Sequence, residues 1–426
     1  MTMPQTRHYE MKDSGVEWIG KMPTEWKCSR VGNFFYFTSG DTLTSEGMSA
    51  GQYVVYGANG IRGYHSDFNL DGKYILLGRV GALCGNVHLV NQKAWVTEHA
   101  LITHKKCKCI EEFYQYVFKA MNLGQYSKAS AQPVISSTTL MMLRFPVPPL
   151  SEQTAIAAYL DEKCATIDAI IAEAKASIEE YKSWKASVIF ETVTKGLNPN
   201  AEMKDSGVEW IGEIPRGWAV ERLKAMFSFG KGLPITKEDL VEQGIPVISY
   251  GQIHAKFNTG VEVLPQLLRY VDAKWLVSNA NSLVSEGDFI FADTSEDMEG
   301  CGNCVYVDTL NEGAQLFAGY HTIIFKLKRS KHNKFLAYLF KSDAWRTQLR
   351  SRVGGVKLFS ISRRMLNLAT VILPPQNEQT AIAAYLDSKC AAIDGIILEK
   401  EDLIREMENY RRSLIFEVVT GKRRVC

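Results

Sequence analysis

Two long stretches of the chain carry apolar residues at alternating steps of four and three. The first runs Leu160, Cys164, Ile167, Ile171, Ala174, Ile178, Tyr181 and Val188, with Lys185 breaking the series. The second runs Leu386, Cys390, Ile393, Ile397, Ile404, Met407, Leu414 and Val418, interrupted by Lys400 and Arg411. That period, sustained over about four heptads, is the signature of a coiled-coil seam. Each stretch follows prolines that stop the preceding segment, in "PVPPLSEQ" and "LPPQNEQ", with Ser151 and Asn377 as the expected N-caps. Asp161 and Asp387 are points at which either helix could be interrupted and capped again. Two matching helices in one chain most simply pack on each other, and pseudo-two-fold symmetry within the chain would set them antiparallel.

Away from these stretches the pattern shortens. "YILLGRVG", "HALITH", "PVISY", "GDFIFADT" and "HTIIFKLK" are β-branched or aromatic runs bounded by Gly, Asn and Asp, and predict strands. "EEFYQYVFKAM" and "KFLAYLFKS" predict short amphipathic helices. The expected class is α+β, with two mixed β-rich modules and two long helices.

The order of these pieces repeats. "MKDSGVEWIG" stands at 11–20 and again, letter for letter, at 203–212, while "EQTAIAAYLD" stands at 152–161 and 378–387. The offsets are 192 and 226, so segments of constant sequence alternate with a segment free to change length. The period is too long for a solenoid and indicates a duplicated domain plus helix. The expected organisation is a constant piece (1–26), variable module one (27–147), a helix (148–198), the constant piece again (199–218), variable module two (219–373) and a second helix (374–426).

Net charge is only +2, but it is unevenly placed. Module one holds 12 Lys and Arg against 7 Asp and Glu, and module two holds 19 against 15. Each module ends in a stretch without acids. Residues 113–151 contain Lys119, Lys128 and Arg144, and residues 344–377 contain Arg346, Arg350, Arg352, Lys357, Arg363 and Arg364. One such strip reads as a solvated face; two at the same place in two copies favour a phosphate backbone as partner.

Other classes lose support. The apolar runs fall far short of the roughly 18 residues a membrane span needs, and "MTMPQTRHYE" lacks a signal peptide's apolar core, so a cytoplasmic protein is expected. "CKC" and "CGNC" raise zinc, but their spacings differ and they lie in different modules, so no metal site is expected. The chain has no phosphate-binding G-x-x-x-x-G-K-[ST] loop, no G-x-G-x-x-G cradle and no H-E-x-x-H. "NPN" at 198–200 fails the Asn/Asp-Pro-Pro-aromatic pattern of an adenine methyltransferase. "DEK" and "DSK" resemble half of a nuclease site but lie in the helical repeat, where such charges face solvent. The pattern is that of a reader and not of a catalyst.

The order of variable module, P-P-x-x-E-Q-x-x-I-x-x-Y-L-D helix, variable module and repeated helix resembles the specificity (S) subunit of type I restriction–modification enzymes. "DSGVEWIG", "EQTAIAAYLD", and "IFETVTKG" against "IFEVVTGK" carry the resemblance, which covers essentially the whole chain. It implies that the modules are two target recognition domains, each reading half of a bipartite site on double-stranded DNA. It implies that the helices form an antiparallel coiled coil that spaces the domains and binds two methylation subunits, with two restriction subunits completing the nuclease. S-adenosylmethionine, ATP and Mg would then belong to those partners, and this chain would carry no catalytic residues. The rival reading is a DNA-independent structural adaptor built on the coiled coil alone.

"YGANGIRGYHSDFNLDGKYILLGRVGALCGNV" (56–87) is similar to a recurrent recognition-domain sequence in that family, and "LVSEGDFIFADTSEDMEGCGNCVYV" (283–307) is its likeness in module two. Loops there are expected to hold the base-reading residues. Arg suits guanine and Asn suits adenine in the major groove, which points to Asn59, Arg62, Arg79 and Asn86. Gln252, His254, Thr294, Ser295 and Glu296 are the module-two candidates. Asn59, in "ANG", also suits a turn, and Arg79 a structural ion pair. Lys128, Ser130, Gln132, Arg352, Lys357 and Ser360 lie in the acid-free strips and are expected to touch phosphates. The seam is expected to hold Leu160, Ile167, Ile171, Ile178, Tyr181, Leu386, Ile393, Ile397, Ile404 and Met407.

Overall fold

The structure, a computed structural model, describes residues 10–425 apart from 45–46, 49–50, 128–132, 312, 329–333 and 355–357. The chain divides into two compact units, residues 1–176 with 400–426, and residues 177–399. Each unit combines one variable module with a segment of both long helices. Among the described residues no helix is long and apolar enough to cross a membrane.

In the first unit a four-stranded antiparallel sheet runs in the order Phe35–Ser39, Ala100–Lys105, Lys73–Gly78, Val87–Asn91. The runs "YILL" and "ALI" are continuously apolar because both sheet faces are covered. Ile75, Leu77 and Leu101 point into the main core with Phe113, Val117 and Phe118 of the helix Glu111–Ala120. Leu76, Ala100 and Ile102, one residue out of phase, point into a second cluster with Leu70, Ala94 and Val96. That cluster belongs to a three-stranded sheet in which Tyr53–Gly57 pairs antiparallel with Gly60–His65 and parallel with Ala94–Val96.

The second unit repeats this plan although the two modules share little sequence. Its four strands run Phe227–Lys231, Thr322–Leu327, Phe289–Ala292, Cys304–Tyr306. Phe289, Phe291 and Phe325 face the main core, and Ile290, Ala292 and Ile324 face another cluster. Ile245–Ile248 again pairs parallel with a later strand, Leu316–Ala318. Its other neighbour is Arg269–Val271, from a longer inserted segment, where the first unit has the tight hairpin strand Gly60–His65. The longer offset between the repeated helices reflects that insertion.

The long helices run from Leu150 to Lys195 and from Gln376 to Val419 without a break. Neither Asp161 nor Asp387 interrupts its helix. Each carboxylate instead accepts a hydrogen bond from a tyrosine of the adjoining short helix, Tyr116 to Asp161 at 2.7 Å and Tyr338 to Asp387 at 2.6 Å. The helices also start one residue before the expected caps, so Ser151 and Asn377 lie inside the first turn. The first turns close on proline carbonyls, with Gln153 N donating to Pro149 O and Gln379 N to Pro375 O. Proline suits that place, since its carbonyl accepts and its missing N–H is not needed.

The repeated Glu-Gln pair explains how each constant piece is anchored. In the first unit Trp26 Nε1 donates to Glu152 Oε2 at 3.0 Å, and in the second Trp218 Nε1 donates to Glu378 Oε2 at 3.0 Å. The following glutamines are buried and donate back to Pro148 O at 2.9 Å and Pro374 O at 2.7 Å. Gly421 and Gly196 end the opposite helices with positive φ (71° and 73°), and a Cβ there would lie 3.2 Å from Trp26 and 3.1 Å from Trp218. Within each unit the start of one helix and the end of the other therefore meet at one tryptophan, which makes the pair antiparallel.

The seam follows the predicted stripe. Leu160, Ile167, Ile171, Ile178, Leu386 and Ile393 are buried, while Tyr181, Ile397, Ile404 and Met407 are half-buried. Two of the three cations that break the stripe face carboxylates of the opposite helix. Lys185 Nζ meets Asp394 at 2.7 Å in the second unit, and Arg411 meets Asp168 in the first.

Candidate nucleic-acid interface

In the first unit the strand Lys73–Gly78 delivers Arg79 at its exit. Arg79 N donates to His99 O at 2.9 Å, and its carbonyl accepts from Ile135 N at 3.0 Å. Val80 forms an isolated bridge with Val134, so this loop is tied to the acid-free segment. The Arg79 guanidinium reaches Ser39 Oγ through Nη1 at 3.4 Å, and its Nε is buried with no partner among the described residues. The structural ion pair considered for Arg79 is not among those of the described residues. Asn59 is exposed in the turn before Gly60–His65, and its Oδ1 accepts from Asn86 Nδ2 at 2.9 Å. Two adenine-reading candidates 27 residues apart are thus side by side. Arg62 is exposed and folds back over Gly57, where a Cβ would lie 2.4 Å from Arg62 Cδ. His88 lies under the same turn with Nε2 buried and unpartnered among the described residues, and burial holds its pKa below the usual histidine range. Lys128, Ser130 and Gln132 lie outside the described residues.

The second unit gathers most of its candidates around residues 293–296. Thr294–Ser295 pairs with Phe359–Ser360, so Thr294 sits opposite Ser360 and the loop again joins the acid-free strip. Ser295 is buried and its Oγ accepts from Asp297 N at 3.3 Å; Glu296 is exposed. His254 has both ring nitrogens engaged: Nε2 donates to Thr294 O at 2.9 Å, and Nδ1 accepts from Asn303 Nδ2 at 3.2 Å. Gln252 closes a capping box, its Oε1 accepting from Ser249 N at 3.0 Å. Gln252 and His254 therefore hold the loop's shape, while Thr294, Glu296 and Ser360 lie where a ligand can reach.

The basic strip of this unit divides in the same way. Arg346 donates to the carbonyls of Cys301 and Glu299, and Arg350 to Glu299 O at 2.9 Å and Asp343 at 2.6 Å. These two arginines brace the "EGCGN" turn. Arg352, Arg363 and Arg364 are exposed, and Lys357 lies outside the described residues.

Cysteines in this region are free thiols. Burial pushes the Cys304 thiol up to about 12, away from the thiolate a metal takes. Among the described residues no group of three or more His, Cys, Asp or Glu is placed to hold a metal ion. "CGN" instead forms the same turn in both units, with Gly85 at φ +95° and Gly302 at φ +83°.

Three residues of this site were not among the candidates: Asp293, His321 and Asn303. Asn303 was visible, since "CGN" at 301–303 matches "CGN" at 84–86. Asp293 and His321 carried no local signal, because their placement depends on strand pairing.

A family model described as the type I restriction modification DNA specificity domain matches residues 23–180 and 215–405. The chain is 40% identical over 110 residues to the type I restriction enzyme EcoprrI specificity subunit of Escherichia coli, a match spanning 26% of this chain and 27% of that relative. Similarity to the MjaVIII specificity subunit of Methanocaldococcus jannaschii is lower, at 23% identity, but spans 95% of this chain and 94% of the relative. A solved structure concerned with complex assembly and conformational transition of the type I R-M system has the same fold, with a TM-score of 0.65 at 14% identity over 93% of this chain and 98% of that one. Two matched recognition segments, the repeated helices and a fold shared over nearly the whole length lead to one conclusion: this chain belongs to the family of type I restriction–modification DNA specificity subunits.

Proposed function

We propose that the chain reads a bipartite site on double-stranded DNA, one half with each module, and that its repeated helices hold two methylation subunits, to which two restriction subunits add. The observation that carries this reading is the repeated link between a candidate loop and a basic strip: Val80 with Val134 in one unit, Thr294 with Ser360 in the other. The link sets Thr294, a candidate for base edges, beside Ser360, a candidate for phosphates, in the second unit, and ties the Arg79 loop to the acid-free segment in the first; these are the two classes of contact that a sequence reader needs. The duplicated helices and tryptophan anchors supply two equivalent surfaces, which suits two copies of one partner. On this reading the chain is not itself catalytic, and S-adenosylmethionine, ATP and Mg are bound by the partner subunits.

The test is selection from a randomised duplex library by the full-length chain assembled with its methylation subunit. The expected result is enrichment of two short blocks separated by an unspecified spacer of fixed length, with affinity falling steeply as salt rises. The adaptor reading predicts no enrichment and no salt-dependent DNA binding.

A further inference from the structure

Four backbone links set the two loops in register. Gly78 N donates to Asn86 O, Arg79 N to His99 O, and Ile135 N to Arg79 O, while Val80 bridges Val134. In the other unit Ala292 N donates to Asn303 O, Asp293 N to His321 O, and Ile361 N to Asp293 O, while Thr294 pairs with Ser360. Asp293 is therefore the counterpart of Arg79, Asn303 of Asn86, and His321 of His99. One position in the fold carries a cation in the first unit and an anion in the second.

A carboxylate is the wrong charge for a surface that meets phosphates. Here it is also held firmly. Asp293 Oδ1 accepts from Thr294 Oγ1 at 2.8 Å and from His321 Nδ1 at 3.0 Å. His321 is bound to the same residue at two points, ring and carbonyl, and its backbone takes φ +54°, which a residue with a Cβ seldom adopts. His254 and Asn303 fix the Thr294 carbonyl from beneath. Among the described residues no hydrogen bond reaches Asp293 Oδ2, and the side chain keeps 27% of its surface exposed. One oxygen is thus clamped and the other is presented as an acceptor. In the major groove an acceptor-only group matches the exocyclic amino group of cytosine, whereas the arginine at the equivalent place matches the O6 and N7 acceptors of guanine.

We infer that Asp293 reads a cytosine in the half-site of the second module through Oδ2, with Thr294 and His321 as positioning residues, at the position where Arg79 reads a guanine for the first. This rests on the DNA-reading function proposed above and adds the residue and the base. Asp293→Asn keeps the shape and replaces one carboxylate oxygen by a donor.

In the duplex selection described above, Asp293→Asn is expected to lower the preference for cytosine at one position of one half-site by roughly 5- to 150-fold, the range for one well-formed base contact. The other half-site stays unchanged, which also shows that the variant is folded and assembled. Thr294→Val is expected to weaken the same position and no other. An unchanged motif in Asp293→Asn, or a uniform loss of affinity with the motif intact, overturns the assignment and makes Asp293 a purely structural partner of His321. Failure of the unaltered chain to enrich any motif overturns the DNA-reading proposal, and this assignment with it.

Discussion

Residue type alone is a weak guide to which side chains of a loop face a ligand, and His254 and Arg352 illustrate the two outcomes. His254 has the chemistry to read a base, yet both ring nitrogens are engaged by Thr294 and Asn303. Arg346 and Arg350 lie in the same basic strip as Arg352 but are drawn to carbonyls of the "EGCGN" turn. Arg352 is exposed beyond them. Its replacement by Ala is expected to lower affinity on all DNA sequences alike and to reduce the log–log salt slope by about one, as for one lost phosphate contact. Binding titrations at several salt concentrations check this; a changed motif at unchanged affinity would make Arg352 a base reader. The basic strips were legible from their lack of acids, and the candidate loops were placed by the resemblance of residues 56–87 and 283–307 to recognition-domain sequence. Their partners were not, because His254 meets Thr294 across 40 residues and Asn59 meets Asn86 across 27.

At the scale of elements, the helical stripes were the clearest text in the sequence. A period of three and four leaves little freedom once a helix of more than 40 residues forms. What the stripe could not say was why it was broken. Lys185 and Arg411 stand at equivalent places in the two copies, and each meets an aspartate of the other helix, Asp394 or Asp168. A cation on the seam disfavours every register that leaves it without that carboxylate, so the pair specifies antiparallel alignment at some cost in apolar burial. Reversing one charge, in Lys185→Asp or Asp394→Lys, is expected to destabilise the chain, and the double reversal to recover part of the loss. A coupling of about 1 kcal/mol between the two sites is expected in a thermal or denaturant double-mutant cycle. Additive effects would show that the pair contributes nothing to the register. Five strands, Lys73–Gly78, Ala100–Lys105, Ile245–Ile248, Phe289–Ala292 and Thr322–Leu327, were legible as short apolar runs, but their neighbours and the strand order were not: the parallel pairing of Tyr53–Gly57 with Ala94–Val96 joins segments some 40 residues apart, which no local pattern encodes.

For the whole molecule, the duplication reconciles constant and variable sequence. The tryptophan anchors, the Glu-Gln pairs and the charged seam positions recur because each unit needs the same join between constant piece and helices. The modules share a strand order while differing in the residues they present, Arg79 against Asp293 above all. A common scaffold with unlike loops is what the proposed independent reading of two half-sites requires, and that proposal predicts that the modules can be exchanged. The most direct measurement is methylome sequencing of cells that carry this chain with its partner subunits, before and after residues 27–147 are replaced by the corresponding module of another specificity subunit. A change confined to one half of the methylated motif is predicted, with the other half retained. A change in both halves would contradict independent reading by the two modules.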